Sequence, residues 1–275
     1  MRSYINFELD AEGDDDLGEH EPMYDTTELP GDPLTHGGAP VPSTETMYIP
    51  PDIRGGATLM SDGRTLKEWL TQVCDDLKPV FNTKVRPTPA KVTPMRLVVD
   101  ESIWEDSANT LPPRHHSQAK HEEMHKQVNK MLPLGVISES QAEYYSQVHL
   151  TPKPTPGEWR FCIDYRRLNA ASKGMGWPIP NIPDMLRRLG NRKAKLFCKL
   201  DLTAGYHQAP LDEASRKYTA FRTARGLYSW NRVPMGLKGA PSYFQHVMQS
   251  EVLQGLQYDI CEIYIDDIII FADTL

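Results

Sequence analysis

The 275-residue sequence predicts an α+β fold that follows a largely disordered acidic segment. A helical pattern begins at Ser117, and its apolar residues recur on one face until a proline and a glycine end it. Short apolar runs bounded by Pro, Gly and charged residues predict strands over 147–152, 159–164 and 196–200. Together these patterns favour a domain that mixes helices with strands.

The first 60 residues have a composition that is typical of disorder. They contain 13 Asp and Glu side chains but only two Arg, together with many Pro and Gly residues and no hydrophobic period. Such a segment buries too little apolar surface to offset the entropy lost on ordering, so residues 1–60 are predicted to be a disordered acidic tail. Residues 61–110 predict a short helix that ends at Pro79, followed by a Pro-rich linker. The folded domain is therefore expected over residues 111–275.

Basic side chains are concentrated in the middle of that domain. The whole chain has a formal net charge of -7, yet residues 151–240 contain 17 basic and only 6 acidic side chains. A local excess of this size is expected of a protein that binds nucleic acid or phosphate groups. On charge alone, a solvated basic face explains it equally well.

The cysteine pattern and the absence of long apolar runs indicate the cellular setting. The four cysteines are widely spaced and include no C-x-x-C pair, which is typical of reduced core thiols in an intracellular protein. The N-terminus lacks the apolar segment of a signal peptide, and no apolar run approaches the ~20 residues that a membrane span needs. We therefore expect an intracellular protein that makes no contact with a membrane.

Two adjacent carboxylates, Asp266 and Asp267, interrupt the apolar, β-branched run YIDDIIIFA. The apolar flanks predict a hairpin whose turn contains both aspartates, although an ordinary structural turn also fits this pair. Asp201 ends another apolar strand. If the two strands are neighbours, two or three carboxylates lie close together. Their like charges repel one another unless bound cations neutralise them. Hard oxygen ligands of this kind suit Mg²⁺.

Two other sets of polar residues allow alternative interpretations. His121 and His125 have the i, i+4 spacing of a metal site, but no matching third ligand is evident, so a solvated helix face is favoured over a zinc site. Lys153 and Arg160 lie at the two ends of a predicted Pro-Gly turn. They could bind phosphate or simply occupy the surface.

Four ordered motifs resemble those of reverse transcriptases from LTR retroelements, most of all the gypsy type of retrotransposon polyprotein. They are WRFCIDYRRLN, KLDLTAGYHQAPLDEASRKYTAFRT, YSWNRVPMGLKGAPSYFQHVM and YIDDIIIFA. The resemblance covers roughly residues 110–275. It implies a right-hand polymerase with fingers and a partial palm of ferredoxin-like βαββαβ topology, truncated just after the YIDD hairpin.

The resemblance also implies the roles of individual residues. Asp201, Asp266 and Asp267 match the catalytic aspartates that bind two Mg²⁺ ions, for which Mn²⁺ could substitute. Tyr206 matches an aromatic steric gate that would exclude a ribose 2′-hydroxyl. The matched nucleotide-binding residues are Lys153, Arg160, Ala204, Gly205, Tyr206, Met235 and Gly236. Met235 stands where some viral relatives carry Gln, which suggests a packing contact in place of a hydrogen bond.

The implied activity is RNA-directed DNA polymerisation, in which deoxynucleotides are added to a primer 3′-hydroxyl on an RNA or DNA template. The implied partners are template-primer, deoxynucleoside triphosphates and the remaining parts of a Pol polyprotein, namely thumb, RNase H and integrase. Because the sequence ends three residues after Ala272, a second hypothesis remains. In that hypothesis the chain is a truncated, catalytically silent remnant that still binds nucleic acid.

Overall fold

The computed structural model describes residues 7–9, 62–78, 80–81, 84–152 and 159–273. The predicted disorder of residues 1–60 lies outside these ranges except for Phe7–Leu9, which forms a short strand. Within the described ranges, no helix is both long enough and apolar enough to cross a membrane.

The described residues form eight α-helices and nine β-strands. The helices are α1 Leu66–Asp76, α2 Glu101–Trp104, α3 Gln118–Met131, α4 Arg166–Ala171, α5 Ile182–Arg192, α6 Gly205–Gln208, α7 Glu213–Arg216 and α8 Ala240–Val247. The strands are β1 Phe7–Leu9, β2 Ile137–Glu139, β3 Ser146–Pro152, β4 Trp159–Ile163, β5 Leu196–Asp201, β6 Phe221–Thr223, β7 Gly226–Trp230, β8 Cys261–Tyr264 and β9 Asp267–Ala272. The strand predictions agree with these bounds to within one residue at each end.

The strands form two sheets. A four-stranded antiparallel sheet has the order β1-β5-β9-β8. A five-stranded sheet has the order β2-β7-β6-β3-β4, in which only the β3–β6 pair is parallel. This combination of helices with two largely antiparallel sheets confirms the predicted α+β fold class.

Local capping starts helix α1, and apolar spacing sets the buried face of helix α3. Helix α1 begins with a capping box, in which the Thr65 hydroxyl accepts from the Glu68 N–H and the Glu68 carboxylate accepts from the Thr65 N–H. Helix α3 buries Met124 and Val128, as the spacing predicted. Ser117 is at the N-cap position of α3, but its side chain makes no capping hydrogen bond.

The main core joins the two sheets. Its buried side chains include Leu150 from β3, Trp230 from β7, Phe244 from α8 and Ile263 from β8. Helix α8 contributes to this core and contacts the four-stranded sheet at Ile263. A smaller cluster that includes Leu189 and Phe271 holds α5 against that sheet.

The segment from about residue 84 to 100 packs along the domain, although the sequence predicts a linker there. Arg232 is only 2% exposed, and its guanidinium donates to the backbone carbonyls of His207, Arg86 and Pro87. The Ala90 N–H donates to the Gln208 carbonyl at 2.8 Å, and the Tyr243 hydroxyl donates to the Thr93 carbonyl at 2.7 Å. A buried charged donor satisfied by this segment fixes it to the domain.

Candidate active site

Three carboxylates meet at one end of the four-stranded sheet. Asp201 is the last residue of β5, and Asp267 is the first residue of β9. The two are direct cross-strand partners, so their side chains lie on the same face of the sheet. Asp266 is in the two-residue turn between β8 and β9. The strands are therefore neighbours as predicted, but Asp267 is in a strand and not in the turn.

A buried glutamine holds the turn that carries Asp266. Ile265 has a φ of 57°, in the left-handed region that β-branched residues rarely adopt. Its N–H donates to Gln245 Oε1 at 2.7 Å, and Gln245 Nε2 donates to the Ile263 carbonyl at 3.3 Å. Gln245 is fully buried on α8. Since both hydrogen bonds come from one side chain, α8 fixes the position and shape of the turn.

Sequence reasoning missed Gln245, although a signal was present. It is a single polar amide in the apolar helical run Tyr243–Met248. Buried polar side chains of this kind are normally hydrogen-bonded, so a partner close to the core could have been expected. The partner itself lies 20 residues later and could not be identified from the pattern.

The electrostatics of the site favour a bound cation. Burial raises the pKa of Asp201, and the nearby carboxylates of Asp266 and Asp267 raise it further. Burial also raises the pKa of Asp266, with a further contribution from Asp267. Lys199 lies two residues before Asp201 on the same face of β5, and its Nζ is 3.0 Å from Asp267 Oδ1. The site thus holds three carboxylates and one ammonium group.

The donor set fits a hard divalent cation. Among the described residues, no three His, Cys, Asp or Glu side chains already stand in a metal-binding arrangement. The three aspartates nevertheless offer only carboxylate oxygens, the ligands that Mg²⁺ prefers. Burial and nearby carboxylates make the ionised forms of Asp201 and Asp266 costly unless a cation compensates them.

Residues 204–206 form a tight connection next to this carboxylate group. Ala204 has a φ of 47° and precedes α6. A Cβ added to the buried Gly205 would lie 3.0 Å from Phe244 Cζ, so any larger residue there would disturb the packing. The Tyr206 ring packs edge-on against Phe244, with ring centroids 5.1 Å apart. Burial raises the pKa of Tyr206 to about 12, so its phenol is neutral at physiological pH.

A second loop is held by Asn169. The Asn169 side chain donates to the Gly236 carbonyl and accepts from the Lys238 N–H, both at 2.8 Å. Gly236 has a φ of 92°, which glycine adopts without strain. The loop leaves the Met235 side chain 52% exposed. Met235 is therefore free to pack against a bound molecule.

Of the two predicted triphosphate-binding cations, the structure describes only Arg160. Arg160 is exposed on β4, in the five-stranded sheet, opposite Thr151. Among the described residues, no hydrogen bond or ion pair joins it to the three aspartates. Lys153 lies outside the described residues.

A comparison with known protein families matches residues 151–275 to the family described as reverse transcriptase (RNA-dependent DNA polymerase). This segment belongs to the reverse transcriptase family. The predicted resemblance is thereby confirmed.

Curated relatives agree with this identification. The reverse transcriptase domain and its flank are 34% identical over 214 residues to the retrovirus-related Pol polyprotein from transposon 412 of Drosophila melanogaster, covering 75% of this chain and 17% of that protein. Identity to the Pol polyprotein from transposon gypsy of the same species is also 34%, over 199 residues, covering 70% of this chain and 18% of that protein.

The fold is also similar to a solved structure. The foamy viral protease-reverse transcriptase in complex with an RNA/DNA hybrid matches with a TM-score of 0.62 and 20% sequence identity, covering 86% of this chain and 31% of that one. The fold therefore resembles a retroviral reverse transcriptase. The chain spans less than a fifth of the length of the two curated relatives.

Proposed function

We propose that this chain carries the polymerase active site of an RNA-directed DNA polymerase. It would add deoxynucleotides to a primer 3′-hydroxyl on an RNA or DNA template. The observation that carries the proposal is the pairing of Asp201 with Asp267, with Asp266 in the adjoining turn, inside a reverse transcriptase domain. In this proposal the four-stranded sheet belongs to the palm and the five-stranded sheet to the fingers.

The aspartates would serve as the ligands of two Mg²⁺ ions, or of Mn²⁺ in their place. When bound, such ions stabilise charge on the transferring phosphoryl group and activate the attacking hydroxyl. The protein's part is to keep the carboxylates together despite their repulsion. The antiparallel pairing fixes Asp201 and Asp267, and Gln245 fixes the turn that presents Asp266. This preorganisation lowers the cost of bringing charge into the site.

The remaining site residues would position the nucleotide. Lys153 and Arg160 would contact the triphosphate, since both offer cationic donors. The backbone N–H groups of Ala204 and Gly205 would donate to phosphate oxygens. Met235 and Gly236, on the loop held by Asn169, would pack near the template and the incoming nucleotide. This assignment is supported by the exposure of Met235 and by the hydrogen bonds of Asn169 to the loop.

We also propose template-primer and deoxynucleoside triphosphates as the substrates. The basic excess of residues 151–240 supports a nucleic-acid partner. The matched foamy viral protein was solved with an RNA/DNA hybrid, which fits the same class of ligand. Since the relatives are Pol polyproteins, we propose that thumb, RNase H and integrase parts act with this one. All four cysteines lie in the described residues and none forms a disulfide, which supports an intracellular setting.

Primer extension tests the proposal. The chain should extend a DNA primer on an RNA template when Mg²⁺ is supplied, and extension should stop when the metal is chelated. A chain with Asp266→Asn and Asp267→Asn, prepared in parallel, controls for contaminating polymerase. Salt-sensitive binding of template-primer without any extension would favour the alternative, a catalytically silent chain that retains nucleic-acid binding.

Substitution of Tyr206 should change the choice between sugars. In Tyr206→Ala, incorporation of ribonucleotides relative to deoxynucleotides should rise by about 10- to 100-fold, because a cavity would replace the ring that excludes the 2′-hydroxyl. Tyr206→Phe keeps the ring and should discriminate as the unmodified chain does. Competition between the two nucleotide types on one template measures the ratio. If all three proteins discriminate equally between ribonucleotides and deoxynucleotides, the Tyr206 ring does not exclude the 2′-hydroxyl.

A further inference from the structure

Lys199 is a cation built into the carboxylate site. It lies on β5, directly across from Ile269 on β9, and its Nζ is 3.0 Å from Asp267 Oδ1. The side chains of both residues are partly exposed, at 47% for Lys199 and 40% for Asp267. The ammonium group therefore reaches Asp267 from the open side of the sheet, where an incoming ion would also approach.

The charge of Lys199 acts on more than its direct partner. It lowers the pKa of Asp201 and of Asp266, against the larger effects of burial and of the neighbouring carboxylates. The position of Lys199 follows from the strand period, since residues 199 and 201 share a face. A single ammonium group thus reduces repulsion in a group of three acids.

We propose that Lys199 is a positioning residue that holds Asp267 in place before metal binds and competes with the divalent cation for that carboxylate. The proposal rests on the proposed polymerase function, in which Asp267 is a metal ligand. Two cations cannot share one carboxylate at close range without repulsion, so metal binding must displace or weaken the Lys199–Asp267 ion pair. Lys199 therefore sets how tightly the site binds metal.

Direct titration of the full chain with Mn²⁺, followed by the EPR signal of the free ion at low ionic strength, tests this role without any measurement of activity. Lys199→Met should lower the dissociation constant for Mn²⁺ by about 2- to 5-fold, the range expected when an exposed ion pair is removed. Lys199→Arg keeps the charge and should bind as the unmodified chain does. Lys195→Met is the matched control, because Lys195 is exposed just before the same strand.

Two further variants make the interpretation specific. In an Asp267→Asn background, Lys199→Met should change the Mn²⁺ affinity much less, because the carboxylate for which the cations compete is gone. Asp201→Asn should weaken Mn²⁺ binding strongly. Unchanged Mn²⁺ binding in Asp201→Asn would overturn the proposed metal site itself. If Asp201 matters but Lys199→Met binds Mn²⁺ no more tightly than the unmodified chain, only the role of Lys199 is overturned.

Discussion

Replacing Asp201 by Asn should reduce the rate of primer extension by about three orders of magnitude and, at the same time, make the metal-free protein more stable. A lost metal ligand removes several kcal/mol of transition-state stabilisation, and each 1.36 kcal/mol corresponds to about tenfold in rate. The substitution keeps the size of the side chain, so β5 and its pairing with β9 should persist.

The gain in stability follows from the direction of the pKa shift. Burial and the neighbouring carboxylates raise the pKa of Asp201, so the ionised form is less favourable in the folded protein than in the unfolded chain. At neutral pH this charge opposes folding, and its cost disappears as the pH falls and the group is protonated. An uncharged Asn removes the cost at every pH. The free energy of unfolding in urea, without metal, should therefore rise for Asp201→Asn.

Asp259→Asn is the control for this experiment, since Asp259 is exposed and lies outside the carboxylate group. It should change neither the rate of extension nor the stability. If Asp201→Asn instead loses activity and stability together, the carboxylate supports the fold and the catalytic assignment loses its basis.

Replacing Gln245 by Met should give the second large effect. Met fills a similar volume but can neither accept from the Ile265 N–H nor donate to the Ile263 carbonyl. A buried N–H left without its acceptor costs about 1–3 kcal/mol of stability. The turn should also relax from its left-handed geometry, and a displacement of about 1 Å can cost on the order of 100-fold in rate. We expect kcat to fall by about that factor, with a smaller change in the KM for primer.

Gln254→Met is a suitable comparison, because Gln254 is exposed shortly after the same helix. It should leave kcat unaltered. Steady-state extension and urea unfolding on both variants separate the effect on the turn from a general loss of folding. Full activity in Gln245→Met would show that the turn holds its shape without the glutamine.

Short-range patterns in the sequence predict β3, β4, β5 and the β8–β9 hairpin, but not β2, β6 or β7. Apolar runs bounded by turn residues located β3, β4 and β5 to within one residue at each end. The acids at the ends of two apolar strands indicate convergence only if the strands are neighbours, and the resemblance to reverse transcriptases supplies that condition. The same period of two places Lys199 beside Asp201, but the pattern alone does not identify the lysine as part of the site.

Features that depend on distant contacts could not be predicted in the same way. The exact turn between β8 and β9 depends on Gln245, which lies on another element, so the local pattern predicts Asp267 in the turn although it begins β9. Likewise, nothing in the Pro-rich composition of residues 84–94 shows that Arg232 donates to carbonyls there. The local composition predicts a linker, but the hydrogen bonds from the buried Arg232 hold this segment against the domain.

The buried Arg232 has a consequence for the boundaries of the domain. The segment that matches the family begins at residue 151, yet two of the three carbonyls that accept hydrogen bonds from the Arg232 guanidinium belong to Arg86 and Pro87. A fragment cut at residue 151 would leave the Arg232 guanidinium with one of these three acceptors. The smallest autonomous folding unit therefore extends at least 60 or so residues upstream of the part by which the family is identified. The segment that identifies the family is therefore shorter than the segment that the domain needs to fold.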